Sequence, residues 1–228
     1  VSVIESSMQN LTGVVNDILD FSKIESGMME LDYVKINPFV DLKELFEIFK
    51  SSVRQKEISY LIHIDSKVSE CLLVDKLRIT QVLSNLINNA IKFTPEQGTI
   101  DAQVTFIKRE NSHEVIRFSV SDTGIGIPKD RQAAIFDAFS QADTSTTRKY
   151  GGTGLGLSIS SQLVTLMGGQ LQVKSAEGEG STFYFELSVE QCQEHTSLSE
   201  QIVKPPIYIM PTNNSYLENV KTQLTHFG

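Results

Sequence analysis

The stretch Asp75–Thr94, DKLRITQVLSNLINNAIKFT, decides the fold. Its apolar residues Leu77, Val82, Leu83, Leu86, Ile87 and Ala90 fall mostly on one side of a helix, at a period of about 3.6 residues. Asp75 is placed to cap the N-terminus, and Thr94-Pro95 ends the segment, because the residue before a proline avoids helical geometry. Asn85, Asn89 and Lys92 stand at i, i+4 and i+7 and line up on another face. Two amides and an ammonium in a row can hold a divalent cation through oxygen and meet a phosphate through charge. A solvated helix face fits the same residue types equally well. The loops further along the chain decide between these readings.

The 228-residue chain is 40% hydrophobic and 21% charged, with a net charge of −8. That supports one sizeable domain plus an appendage. The acidic balance argues against nonspecific nucleic-acid binding. No run is long enough for a transmembrane helix, and the start has no signal-peptide pattern. The chain opens on Val1 rather than methionine and is expected to be a piece of a longer protein. Two cysteines, Cys71 and Cys192, match neither a disulfide framework nor a metal site, so reduced cytosolic thiols are the simplest expectation.

Toward the N-terminus, Val1, Ile4, Met8, Leu11, Val15 and Ile18 repeat at the 3-4 spacing of a bundle helix running to about Met28. Such a stripe needs a cover, either its own domain or a second bundle helix. A strand is expected over Glu30–Ile36, then a helix over Phe39–Lys56 that Asn37 caps and Pro38 starts. Strands follow at Ile58–Ile64 and Cys71–Val74, before the Asp75 helix. Thr99–Lys108 and Glu114–Ser121 alternate apolar and polar residues and form a hairpin. A helix is expected from Pro128, carrying Ile135, Phe136 and Phe139. The polar stretch Ser140–Tyr150 leads to Gly151–Gly156 and a helix through Met167, which Gly168-Gly169 ends. Strands at Gln170–Ser175 and Ser181–Val189 flank the turn Glu177–Gly180.

Gly152, Gly154 and Gly156 alternate just ahead of a helix, so backbone N–H groups and the helix N-terminus can meet a polyphosphate. Neither the P-loop pattern nor the dinucleotide fingerprint is present. A glycine turn alone is weak evidence. Asp122, followed by Gly124 and Gly126 directly off a strand, strengthens it, as does the Asn/Asn/Lys helix.

Together these segments resemble the ATP-binding domain of sensor histidine kinases, in the superfamily shared with DNA gyrase, heat-shock chaperones and mismatch-repair ATPases. NLINNAIKFT (Asn85–Thr94) resembles that family's N box, and DTGIGIP (Asp122–Pro128) its first glycine box. FDAF (Phe136–Phe139) resembles the phenylalanine box, GGTGLGL (Gly151–Leu157) the second glycine box, and GEGSTFYF (Gly178–Phe185) the closing strand. NDILDFSKIESG (Asn16–Gly27) resembles the end of the second helix of the dimerisation and phosphoacceptor bundle.

The resemblance implies an α/β fold, an α+β two-layer sandwich. It has one mixed, mostly antiparallel sheet with helices on one face, preceded by one long bundle helix. The implied divisions are a bundle helix at 1–28, the ATP-binding domain at 29–190, a linker at 191–204, and the start of a receiver-like domain at 205–228. ATP and Mg²⁺ are the implied ligands. Asp122 would accept from the adenine amine, while Gly124 and Gly126 let backbone approach the base and ribose. Asn89 and Asn85 would hold Mg²⁺, with Asn85 also a possible catalytic residue, and Lys92 would neutralise phosphate. Arg148 or Lys149, in the expected lid over Ser140–Tyr150, could reach the γ-phosphate, although Lys149 suits a solvent-exposed role equally. Ile127, Phe139, Thr147, Gly152, Gly154, Leu155, Gly156 and Thr182 complete the implied nucleotide site. Phe136 and Phe139 also suit hinge and core packing, and Asn88 suits the helix surface.

The implied partners are a histidine-bearing bundle helix of the same or a paired subunit, a response-regulator receiver domain, and a second copy in a full-length homodimer. The implied location is cytoplasmic, with any membrane contact made by parts outside this chain. None of His63, His113, His195 and His226 sits in a phosphoacceptor motif, and His113-Glu114 lies in the hairpin. The acceptor is therefore expected upstream of Val1, and autophosphorylation is not expected from this chain alone. Pro211-Thr212 stands where a receiver strand carries its acidic pair, which implies a degenerate receiver. Two rivals remain: a non-catalytic nucleotide-binding scaffold that gates a bundle, and a gyrase- or chaperone-type ATPase. The latter carries a water-activating glutamate where this chain has Asn85.

Overall fold

The computed structural model describes residues 2–138 and 154–192. The chain divides into two units, Val1–Gln191 and Cys192–Gly228, and every element below belongs to the first. In order these are α1 (Ser2–Glu25), β1 (Val34–Ile36), α2 (Pro38–Glu47), α3 (Lys50–Gln55), β2 (Ser59–Ile64), β3 (Leu72–Val74) and α4 (Lys76–Phe93). Then come β4 (Thr99–Glu110), β5 (His113–Asp122), a 3₁₀ turn at Ala134–Phe136, α5 (Gly156–Leu166), β6 (Gln172–Ala176) and β7 (Gly180–Gln191). The linker expected at 191–204 begins one residue too early, because β7 runs through Gln191; from residue 193 on, it and the receiver-like segment expected at 205–228 lie outside the described residues.

The sheet runs β1-β3-β7-β5-β4-β2, with β6 also paired to β7. Among the described residues only β2–β4 is parallel; the other pairs are antiparallel. Residues along β4, β5 and β7 alternate between the two faces. Ile100, Ala102 and Val104, Ile116, Phe118 and Val120, and Phe183, Phe185, Leu187 and Val189 are buried on the helix side. Phe118 and Phe185 stack there with centroids 5.0 Å apart. The opposite face is polar: Arg117 pairs across the ladder with Glu186, and Gln103 donates to Asp101. One apolar face is the pattern of an antiparallel sheet covered on a single side.

Helix α4 provides the cover. Asp75 caps it by accepting from Arg78 N at 3.0 Å and also takes Asp32 N at 2.9 Å. At its far end Thr94 leaves helical geometry, and its hydroxyl donates to Ala90 O at 2.7 Å. Ile79, Val82, Leu83, Leu86, Ile87 and Ala90 are buried, whereas Leu77 is 64% exposed. At the opposite end of the sheet, fully buried Glu114 accepts from Ser69, Arg109 and Gln191, so its charge does not stand unsatisfied.

Three expectations change. The single helix over Phe39–Lys56 is two, α2 and α3, because the chain turns at Ile48–Phe49. The break brings Phe49 into the core beside Phe46 and leaves Ile48 69% exposed. The segment after Pro128 forms turns and one 3₁₀ turn instead of a helix. There Gln132 is drawn back to loop carbonyls while Phe136 lies edge-on to Phe183 at 6.5 Å. Third, neither Cys71 nor Cys192 is a free thiol; both are disulfide-bonded. Spacing along the chain hid this, because β3, which follows Cys71, pairs with a strand from the far end of the domain.

Among the described side chains of α1, Met8, Val15, Ile18 and Leu19 are 47–65% exposed, while Phe21 and Ile24 near its end pack on the core. The buried face of α4 sets a test of the packing. Leu86→Ala should lower unfolding free energy by about 2–5 kcal/mol, measured by urea titration. A loss under 1 kcal/mol would contradict the burial of Leu86.

Candidate functional site

The polar stripe of α4 is where the sequence places it. Asn85, Asn89 and Lys92 are half-buried, and Asn88 is exposed. Asn85 Nδ2 donates to Ser160 Oγ on α5 at 2.9 Å, and Asn89 Nδ2 lies 3.4 Å from Asn85 Oδ1. Burial holds the Lys92 ammonium below the usual lysine range, and its Nζ lies 4.9 Å from the Phe93 ring centre. Lys56 reaches in from the α3–β2 connection and donates to the carbonyls of Ile91 and Lys92 at 2.6 and 3.0 Å. A cation there suits the negative end of the helix dipole and fixes the helix terminus.

That terminus meets the first glycine box. Asp122 ends β5, and Gly124 N donates to its Oδ1 at 2.8 Å. Burial pushes the Asp122 carboxyl above the usual aspartate range, against the pull of the backbone N–H groups of Gly124 and Ser181. The loop then folds onto the β6–β7 turn. Gly126 has φ +69°, and a Cβ there would come within 1.9 Å of Ala176 O, so only glycine fits. Ser175 fastens the loop: its hydroxyl accepts from Ile127 N at 2.8 Å, donates to Gly180 O at 2.7 Å and lies 2.9 Å from Ser181 Oγ. Gln132 adds a clamp, its Nε2 donating to the carbonyls of Ile127 and Ser175.

The second glycine box enters at the other end of the stripe. Gly154 has φ +72°, Leu155 is buried, and α5 begins at Gly156. A Cβ on Gly156 would come 2.5 Å from Asn85 Oδ1, so the helix N-terminus and the amide approach only because this residue lacks a side chain. Phe139, Thr147, Arg148, Lys149 and Gly152 lie outside the described residues. Thr182 is on the far side of the sheet: it pairs with Ser121, hydroxyl to hydroxyl at 2.9 Å, whereas its neighbour Ser181 is registered with Asp122. The structure thus brings together Asn85, Asn89, Lys92, Asp122, Gly124, Gly126, Ile127, Gly154, Leu155 and Gly156, with Thr182 facing away.

Ser160, Ser175, Ser181 and Gln132 were not singled out by the sequence reading. The order G-S-T after the β6–β7 turn offered a signal for Ser181, because strand alternation assigns only every second residue to the Asp122 side. Ser160 and Gln132 carried none.

The site is suited to a nucleotide triphosphate with its metal. Asn85 to Phe93 spans about 12 Å of helix at 1.5 Å per residue, with one glycine box at each end. Among the described residues no group of three or more His, Cys, Asp or Glu could hold a metal ion. A divalent cation here would therefore take amide oxygens plus the ligand's own phosphate oxygens. Mg²⁺ binds in that way, through few protein ligands and substrate phosphates. The donor set fits.

The family model of histidine kinase-, DNA gyrase B- and HSP90-like ATPases matches residues 74–191. Sensor protein GacS of Pseudomonas syringae pv. syringae is 42% identical over 191 residues, covering 84% of this chain and 21% of that protein. Hybrid signal transduction histidine kinase B of Dictyostelium discoideum is 39% identical over 206 residues, 90% of this chain and 10% of its own. The chain thus spans about a fifth or less of the length of these relatives. Full-length ShkA in complex with AMPPNP superposes with a TM-score of 0.72 at 31% identity, over 84% of this chain and 38% of that one. Histidine kinase ThkA in complex with response regulator protein TrrA gives 0.62 at 26% identity, over 82% and 49%. By motif, by fold and by the match over residues 74–191, the chain belongs to the family of histidine kinase-, DNA gyrase B- and HSP90-like ATPases.

Proposed function

We propose that this chain is the ATP-binding catalytic part of a hybrid sensor histidine kinase, which passes the γ-phosphoryl group of ATP to a histidine on a bundle helix. The observation that carries this is one helix, α4, joining two glycine boxes, with a half-buried carboxylate near one end and paired amides near the other. Asp122 accepts from the exocyclic amine of adenine, and that bond selects adenine over bases that present a carbonyl there. Lys92 faces the phosphates, and its desolvated ammonium interacts with them more strongly than an exposed one. Asn89 and Asn85 would hold Mg²⁺, which would supply positive charge beside the triphosphate. An imidazole nitrogen attacks in line, and ADP leaves. The protein contributes position and field, with no covalent step of its own.

Transfer is favoured over hydrolysis because the residue at the water-activating position is Asn85. Its amide is bonded to Ser160 and has no basic atom to take a proton from water. His63 and His113 lie on sheet strands, so neither serves as acceptor. The exposed seam of α1 is the proposed contact with the rest of the bundle and, through it, with a second copy. A receiver domain is the proposed recipient of the phosphoryl group, in keeping with the ThkA–TrrA complex. No helix among the described residues is long and apolar enough to cross a membrane. The proposed location is the cytoplasm, where ATP is available.

Asp122→Asn should reduce affinity for a non-hydrolysable ATP analogue at least ten- to a hundredfold, about what one charge-assisted hydrogen bond supplies, with the circular dichroism spectrum unchanged. Unaltered binding by calorimetry would refute the adenine assignment. In the wild type the raised Asp122 carboxyl takes up its proton at a higher pH than an ordinary aspartate, about 3.9. Nucleotide affinity should therefore fall on acidification with an onset above that value, and this step should be missing from Asp122→Asn. Asn89→Ala should lose the Mg²⁺-dependent part of the affinity, together with phosphorylation of a histidine-bearing bundle domain supplied in trans. Phosphorylation that survives the change would overturn the metal assignment.

A further inference from the structure

A primary amide is nearly symmetric in shape, so hydrogen bonds decide which of its ends faces a site. For Asn85 the deciding contact comes from α5. Gly156 and Ser160 stand at i and i+4, on one face of that helix and against Asn85. Gly156 leaves the space, and Ser160 supplies the bond, its Oγ accepting from Asn85 Nδ2 at 2.9 Å. Ser160 is 2% exposed, so water does not compete for the contact. In this contact Ser160 Oγ is the acceptor, so its own proton is directed away from Asn85.

With Nδ2 held by Ser160, Asn85 Oδ1 is turned toward Asn89, whose Nδ2 approaches it at 3.4 Å. The order of donors and acceptors then runs one way, from Asn89 to Asn85 to Ser160. Each amide gives its N–H to the next residue, so Asn85 Oδ1 is engaged by Asn89 and the amide oxygen of Asn89 stands at the open end of the series. The reverse arrangement would present N–H groups to a cation, which repel it.

We propose that Ser160 is a positioning residue that sets the amide orientation of Asn85, and through it Asn89, so that oxygen faces the divalent cation. The inference rests on the nucleotide-site reading above and adds to it a residue outside the cleft. It separates two contributions to nucleotide affinity: adenine recognition at Asp122, which does not involve Ser160, and the metal-dependent increment, which does.

Calorimetric titration of the full chain with a non-hydrolysable ATP analogue, once with Mg²⁺ and once with EDTA, tests it. Ser160→Ala should leave affinity in EDTA within twofold of wild type and reduce the Mg²⁺-dependent increment about three- to tenfold, the range of one hydrogen bond. Ser160→Thr, which keeps the hydroxyl, should restore the increment. In an Asn85→Ala background, adding Ser160→Ala should change nothing more, because the residue acts through Asn85. An unchanged increment in Ser160→Ala overturns the proposal, as does an equal loss with and without Mg²⁺, or a threonine variant as weak as the alanine one. If Ser160→Ala does not fold by circular dichroism, Ser160→Cys, with a far weaker acceptor of similar size, gives the same comparison. A wild type that binds no nucleotide removes this inference and the reading beneath it. A wild type that binds, with Ser160→Ala indistinguishable from it, removes this inference alone.

Discussion

The domain depends on the two-sidedness of α4. Val82, Leu83, Leu86, Ile87 and Ala90 are almost without exposure, on a helix that packs against β4 and β5. That contact takes apolar surface out of water on the helix and on the sheet at once, which is the main favourable contribution to folding. The same rotation of the helix fixes the opposite stripe. With 3.6 residues per turn, burying 82, 83, 86 and 87 leaves no freedom in where 85, 89 and 92 point. Core packing thus positions the polar stripe to within a side-chain rotamer, with no need for a loop to hold it.

Electrostatics works against stability in the same place. Asp122 is half-buried, and the cost of removing its carboxylate from water exceeds what the Gly124 and Ser181 N–H groups return, since its pKa stands above the ordinary value. A carboxyl whose folded pKa exceeds its unfolded one contributes most when protonated, and that contribution is lost as pH rises through the folded value. Near neutrality the unliganded domain therefore bears a charge that its hydrogen bonds only partly compensate. Lys92 is in the matching position, an ammonium held below its usual pKa by burial. A ligand that donates to the one and presents anions to the other offsets both costs, so affinity and unliganded instability share an origin.

How much of this could be read from the chain follows from which interactions are local. The α4 stripe, its Asp75 cap and its Thr94 end are set by neighbours within four residues, and all were legible. So were the β4–β5 hairpin and the glycine turn before β7. The split between α2 and α3 was not, because it answers to where Phe49 finds room in a core built from distant strands. Ser160, Ser175 and Gln132 were equally hidden: a serine in a helix and a glutamine in a turn are ordinary residues until folding puts Asn85 or Ile127 beside them. Thr182 shows the finer limit. The closing strand was located correctly, yet a one-residue step decides which face a side chain takes, and Ser181, not Thr182, lies opposite Asp122.

The same helix is also tied to α1. Gln81 Nε2 donates to Asp20 Oδ2 at 2.8 Å and Arg78 donates to Gln81 Oε1 at 3.0 Å, with Arg78 and Asp20 only about a fifth exposed. These bonds join the end of α1 to the first turns of α4, one turn ahead of Asn85. Phe21 and Ile24 add apolar contact beside them. Partly buried polar contacts of this kind contribute modestly to stability but fix geometry well. A displacement of α1 must therefore either break the Asp20–Gln81–Arg78 group or carry the start of α4 with it. The buried stripe resists the second outcome, because sliding α4 would open cavities against β4 and β5. Release at the polar group is the softer of the two responses, and it leaves the amide stripe of α4 in register.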